Sequence, residues 1–160
     1  MSKTRGFELV EKFTSMFSKD NPFIFPRRAT MYSACYDIFN NTGKDIVLEP
    51  GELSPALTTY LKAYMLNDEV LMAFVRSGHG FKYSVRLANS TGIIDSDYYN
   101  NSDNEGEIFV KLHNQGTKQL IIPKGEGMAQ VMFQKYLLTD DDESTRGGIR
   151  GGGIGSTSKT

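Results

Sequence analysis

The sequence predicts an all-β domain, and three observations carry that expectation. Most apolar segments are short and rich in Val, Ile, Tyr, Phe and Thr, the side chains that suit a pleated, half-buried surface. Turn-forming stretches with Gly, Pro and Asn separate them, and sustained 3.6-residue periodicity is scarce. The 160 residues suit one ordinary domain, in which roughly 68–70% of the unfolded chain's surface can be buried.

Strands are expected over residues 6–9, 45–49, 69–75, 107–112, 118–122 and 129–137. Val10, Phe13 and Phe17 are spaced like one face of a helix, but the following Asn21-Pro22 break limits it to two turns at best. Leu48-Glu49-Pro50-Gly51-Glu52 and Ile122-Pro123-Lys124-Gly125-Glu126 each read as a strand running into a turn built on Pro and Gly, and so as hairpin corners. Asn100 to Asn104 is polar and turn-prone and is expected as an exposed tip or insertion. From Glu143 onward the chain is Ser, Thr, Gly and Arg, which buries almost nothing and loses much backbone entropy on ordering. Two parts are therefore expected: a β domain over 1–142 and a flexible C-terminal arm over 143–160.

Lys plus Arg number 18 against 19 Asp plus Glu. That near-cancellation argues against a nucleic-acid binder, while leaving room for a local cationic pocket. One cysteine, Cys35, and two histidines leave neither an intramolecular disulfide nor a Cys/His zinc set. The longest apolar run, Val70 to Val75, falls far short of the ~20 residues a membrane span needs. With no export signal legible, the expectation is a soluble, cytoplasmic chain with no membrane partner.

Five segments carry chemistry. The tail, Arg150-Gly151-Gly152-Gly153-Ile154-Gly155-Ser156-Thr157, combines a cation, unobstructed amides and two hydroxyls, groups that suit a phosphate chain or, read alone, a plain linker. Arg76-Ser77-Gly78 puts a guanidinium and a hydroxyl where the strand ending at Val75 leaves its sheet; alone it is equally a surface turn. Gly125 to Gln130 offers a turn and an amide, or simply a hairpin. In Gly92-Ile93-Ile94-Asp95-Ser96-Asp97-Tyr98, period-two alternation would point Asp95 and Asp97 the same way. One carboxylate could orient a water for phosphoanhydride hydrolysis, or both could be solvated turn acids. In Ser33-Ala34-Cys35-Tyr36-Asp37-Ile38 a carboxylate stands among apolar neighbours and needs a cation or a hydrated metal.

Together these segments resemble the five ordered motifs of the trimeric dUTP pyrophosphatase (dUTPase) family, including its bacterial and phage members. All five positions are occupied in order across residues 25–158. The third, Asn89 to Tyr98, is the strongest singly. The resemblance implies a distorted jelly-roll or β-barrel, a homotrimer with shared sites, and hydrolysis of dUTP to dUMP and pyrophosphate. It assigns Asp95 as general base for water attack on the α-phosphorus, and Mg²⁺ as cofactor with Asp37 holding metal-bound water. Arg76, Ser77, Gly78 and Gln130 are expected to grip phosphates, with Arg150, Gly155, Ser156 and Thr157 closing over them. Asn89, with Gly92 and Ile94 on the neighbouring strand, is expected to read uracil and reject the thymine methyl. Tyr98 is expected under the deoxyribose, leaving no room for a 2′-hydroxyl.

The chain departs from the family pattern at three places. Cys35 stands where the family usually has Gly, Ile154 replaces the usual aromatic of the tail, and Arg146 competes with Arg150 for the tail arginine. These departures motivate a second reading, a non-catalytic or regulatory protein on the same scaffold, with a protein regulator as partner if the chain is phage-encoded. A dCTP deaminase, which shares the fold, is the third.

Overall fold

The computed structural model describes residues 3–142. In chain order its strands are β1 (Gly6–Leu9), β2 (Arg27–Arg28), β3 (Tyr36–Phe39), β4 (Ile46–Leu48), β5 (Leu57–Thr58), β6 (Leu61–Tyr64), β7 (Glu69–Phe74), β8 (Val85–Leu87), β9 (Gly92–Asp95), β10 (Phe109–Val110), β11 (Leu112–Asn114), β12 (Leu120–Ile122) and β13 (Gly127–Lys135). One α-helix, α1 (Ser77–Tyr83), interrupts them, with 3₁₀ turns at Glu11–Met16 and Ser96–Tyr98. A five-stranded antiparallel sheet in the order β2-β3-β13-β7-β9 forms one wall. The antiparallel pairs β1-β6, β5-β10, β8-β11 and β4-β12 build the rest of a distorted jelly roll.

Alternation along these strands supplies the core. In β7 the residues Glu69, Leu71 and Ala73 point inward while Val70, Met72 and Phe74 are half-buried, the period of two that a pleated strand imposes. Leu71, Leu112, Met128 and Ala129 are fully enclosed, joined by Leu48, Leu61, Ile122 and Val131. The buried Glu69 carboxylate is matched by Arg5, 2.5 Å away, as a charge inside a sheet sandwich requires.

Several expectations are corrected. The segment 107–112 is two strands, because the backbone changes partner: β10 pairs with β5, whereas β11 pairs with β8. Both Pro- and Gly-containing turns exist, with Gly51 and Gly125 at φ of 80° and 83°, but neither closes a hairpin. The flanking strands β4 and β12 pair with each other instead. Residues 11–16 form a 3₁₀ turn rather than an α-helix, yet Phe13 and Phe17 both pack edge-on against Tyr60, so the expected apolar face is real. Strand β9 stops at Asp95, and the 3₁₀ turn Ser96–Tyr98 breaks the alternation that would have placed Asp95 and Asp97 on one side. Finally, the stretch 100–104 is no simple exposed tip. Asn101 is buried, with its side chain bonded to four neighbouring groups.

Candidate functional site

Motif residues gather along β7 and its exit, about two hollows whose linings share no residue. The first, of about 200 Å³, is bounded by Ala73 of β7, Gly92, Ile93 and Ile94 of β9, and Ile108 to Lys111, with Asn89 and Tyr98 in its wall. Its volume suits one small heterocycle with its sugar rather than a larger ligand. Gly92 matters for closeness: a Cβ there would lie 3.0 Å from the Ala73 Cβ. Asn89 brings the paired donor and acceptor that reading a nucleobase edge requires. Asp95 is exposed and follows directly on Ile94 of the wall, opposite Val70.

The second hollow, about 610 Å³, is more open, and Cys35, Val75, Ser77, Phe81, Ser90 and Gln130 line it. Across the sheet Arg27, Asp37, Gln130 and Phe74 stand in register on β2, β3, β13 and β7, which puts their side chains on one face. Gln130 donates its amide to the Val75 carbonyl at 3.1 Å, holding the exit of β7. Arg76, the extended residue before α1, donates Nε–H to Asp37 Oδ1 and Nη1–H to the Gly127 carbonyl, each at 3.1 Å. This answers the lone carboxylate inside an apolar strand: its cation is Arg76. A Cβ on Gly127 would lie 2.7 Å from the guanidinium carbon, so the glycine makes room for the arginine. Ser77 and Gly78 are exposed in the first turn of α1.

Two neighbours tune this second region. His79 is held below its ordinary pKa by burial and then by Arg76, while its ring bonds the Met128 backbone. Its Nδ1 is buried with no hydrogen-bond partner among the described residues. The Cys35 thiol is pushed up by burial and then by the Asp37 charge, which makes it a protonated, weakly reactive side chain at neutral pH. Neither role was legible in the sequence. A histidine three residues after a loop arginine carries no pattern of its own, and the Arg76–Gly127 contact joins segments 51 residues apart.

The expected site residues thus divide. Asn89, Gly92, Ile94 and Tyr98 meet in the first hollow, with Asp95 beside them; Ser77 and Gln130 meet in the second, next to Arg76 and Asp37. Arg150, Ile154, Gly155, Ser156 and Thr157, and the rival Arg146, lie outside the described residues.

Comparison with known proteins follows the same lines. The dUTPase family model matches residues 21–157. A deoxyuridine 5′-triphosphate nucleotidohydrolase of Lactococcus lactis is 41% identical over 155 residues, covering 97% of this chain and 98% of its own. The crystal structure of a dUTPase from Streptococcus mutans superposes with a TM-score of 0.68 at 36% identity, over 84% of this chain and 98% of that one. The fold is also similar to a dUTPase from phage phi11 of S. aureus, with a TM-score of 0.63 at 20% identity, over 86% and 94% of the two chains. That structure is described as revealing how a structural Mg(II) ion is coordinated.

Proposed function

The chain belongs to the dUTPase family and is a dUTP diphosphatase, and on that premise we propose how its residues divide the work of hydrolysing dUTP to dUMP and pyrophosphate. Uracil and deoxyribose enter the hollow walled by Asn89, Gly92, Ile94 and Tyr98. The observation that carries this assignment is a nucleoside-sized pocket whose wall runs directly into an exposed carboxylate, Asp95. Asp95 takes the proton of a water attacking the α-phosphorus, a contribution of about 10²–10⁴-fold for a well-placed general base. Asn89 supplies an acceptor and a donor to the uracil edge, and the close approach of Gly92 to Ala73 keeps the wall tight against a thymine methyl.

Arg76, Ser77 and Gln130 take the phosphates, with Gly78 beside them. Arg76 is oriented for this by Asp37 and the Gly127 carbonyl, so little side-chain freedom is lost on binding. Arg150, Gly155, Ser156 and Thr157 close over the chain of phosphates, and Ile154 gives the base apolar cover in place of an aromatic ring.

The residues fit Mg²⁺ in one manner only. Among the described residues no three His, Cys, Asp or Glu side chains cluster as a ligand set, so the fit is to a hydrated ion held chiefly by phosphate oxygens. Asp37 would accept a hydrogen bond from a water of that ion. When bound, the ion neutralises triphosphate charge.

The separation of the two hollows supports a site shared between chains of a homotrimer, with one subunit's base pocket facing another's phosphate grip. Large apolar side chains exposed on the single chain, Met31, Tyr32 and Phe81 among them, offer surface for such contacts. No helix among the described residues is long and apolar enough to cross a membrane, and the substrate is a nucleotide of the cytoplasm, where we place the enzyme.

The test is to supply dUTP and dCTP side by side with Mg²⁺ and to follow pyrophosphate and ammonia. Pyrophosphate from dUTP alone is expected. Ammonia from dCTP would instead make the chain a deaminase, and turnover of neither would favour a regulatory scaffold.

A further inference from the structure

The stretch 99–106 is folded back on the base of the pocket rather than projecting from it. Asn101 accepts the backbone N–H groups of Asp103 and Asn104 at 3.0 and 3.1 Å, and donates to the Tyr98 carbonyl at 2.8 Å. Asn104 in turn accepts, through Oδ1, from the Gly106 N–H at 3.0 Å and from Asn101 Nδ2 at 2.8 Å. Those two donors fix which end of the Asn104 amide is oxygen, and so leave its Nδ2 facing the Tyr98 hydroxyl at 2.8 Å. The hydroxyl passes its own proton to the Glu107 carbonyl, also at 2.8 Å.

Both polar capacities of the phenol are thus engaged by the protein, and the ring is held at the pocket wall from its far end. Gly106 permits the fold-back: its φ is 84°, and a Cβ there would lie 2.6 Å from the Tyr98 carbonyl oxygen. The loop is itself anchored. Glu105 accepts the Glu11 N–H at 3.0 Å and pairs with Lys62 at 3.5 Å, while the Tyr99 hydroxyl donates to Glu8.

We propose that Asn104 is a positioning residue for sugar discrimination: by donating to the Tyr98 hydroxyl it fixes the ring against the deoxyribose, so that a nucleotide carrying a 2′-hydroxyl is refused. The proposal rests on the reading above, in which Tyr98 packs under the sugar. Discrimination on a single oxygen requires a wall held to within about 0.5 Å. The Glu107 carbonyl alone would hold the far end of the ring by one bond; Asn104 adds the second that fixes it. Asn104 touches no substrate; it acts through Tyr98.

The test is the ratio of kcat/KM for dUTP over UTP in the full chain, in Asn104→Ala, in Tyr98→Phe and in the double variant. Loss of one buried hydrogen bond is expected to relax the ratio about five- to tenfold in each single variant, through a rise in the UTP value. The double variant relaxes no further than Tyr98→Phe, because Asn104 acts on the ring only through the hydroxyl that Tyr98→Phe removes. A merely structural role for Asn104 would lower both substrates together and leave the ratio alone. If Asn104→Ala does not fold, Asn104→Asp, which keeps the oxygen that accepts from Gly106 and Asn101 and removes only the Nδ2 donor, decides the matter. A selective wild type with an unchanged ratio in the variants overturns the Asn104 inference only. A wild type that accepts UTP as well as dUTP overturns the placement of Tyr98, and the inference with it.

Discussion

His79 shows what one side chain beside the phosphate grip contributes. Burial and the adjacent Arg76 guanidinium disfavour its protonated form, so its pKa in the folded chain lies below the ordinary value. In the unfolded chain a histidine titrates near about 6.5. As pH falls through that value the unfolded state takes up a proton that the fold refuses, and unfolding becomes easier. The stability contributed by neutral His79 is therefore complete above about pH 6.5 and is lost toward its lower folded pKa. Melting temperatures recorded from pH 7.5 down to 5.5 should decline in the wild type and decline less in His79→Phe. Equal slopes would remove His79 as the cause. Cys35 shows the converse. A side chain where the family usually has Gly could shift Asp37 or simply face the core; the thiol is held protonated by burial, while Asp37 keeps its ion pair with Arg76.

At the scale of elements, β13 organises the grip. It pairs with β3 on one side and β7 on the other, bringing Asp37 and the exit toward Arg76 to either side of Gln130. The register shift between Gly127 and Ala129 marks where the strand bends around the guanidinium. In Gly127→Ala the new methyl would meet the far end of a flexible side chain, so the fold survives while Arg76 is pushed off the Gly127 carbonyl. The expected result is a KM for dUTP raised by about tenfold, the value of one charge-assisted hydrogen bond, with a melting temperature close to wild type. An unchanged KM would mean that Arg76 needs no such guidance. These pairings were not legible in the sequence, because alternation reports which way a residue points and not which strand lies beside it. About half of the strand positions were legible, since β1, β7 and β13 carry their apolar residues openly, whereas β2, β3, β5, β6, β8 and β9 have at most four residues each and fell outside the expected strands. Helix α1 was not, because Gly78 and Gly80 within seven residues give it poor helix propensity. The insertion was misread as exposed for a related reason: asparagines favour turns wherever they fall, and only the fold shows that Asn101 is turned inward.

For the whole molecule, the division of the motif residues between two hollows is the feature behind the proposed homotrimer. Asp95 follows the wall of the first hollow, opposite Val70, whereas Ser77 and Gln130 line the second. Light scattering is expected to find three chains per particle. Removing residues 145–160 should leave that assembly and its melting temperature in place while lowering turnover by about a hundredfold, the cost of a substrate no longer held in its reactive position. A fully active monomer, or full activity without the tail, would contradict the shared and closed site. The motif order carried the site's residue list, whereas its division in space came only from the fold.

The most direct measurement concerns Asp95. The variant Asp95→Asn preserves shape and hydrogen-bonding capacity but cannot accept the proton of the attacking water at neutral pH. Calorimetric titration with a non-hydrolysable dUTP analogue, run beside pyrophosphate release from dUTP, should find binding within a few-fold of wild type and turnover reduced by about 10²–10⁴-fold. Turnover at the wild-type rate with binding intact would show that another group activates the water.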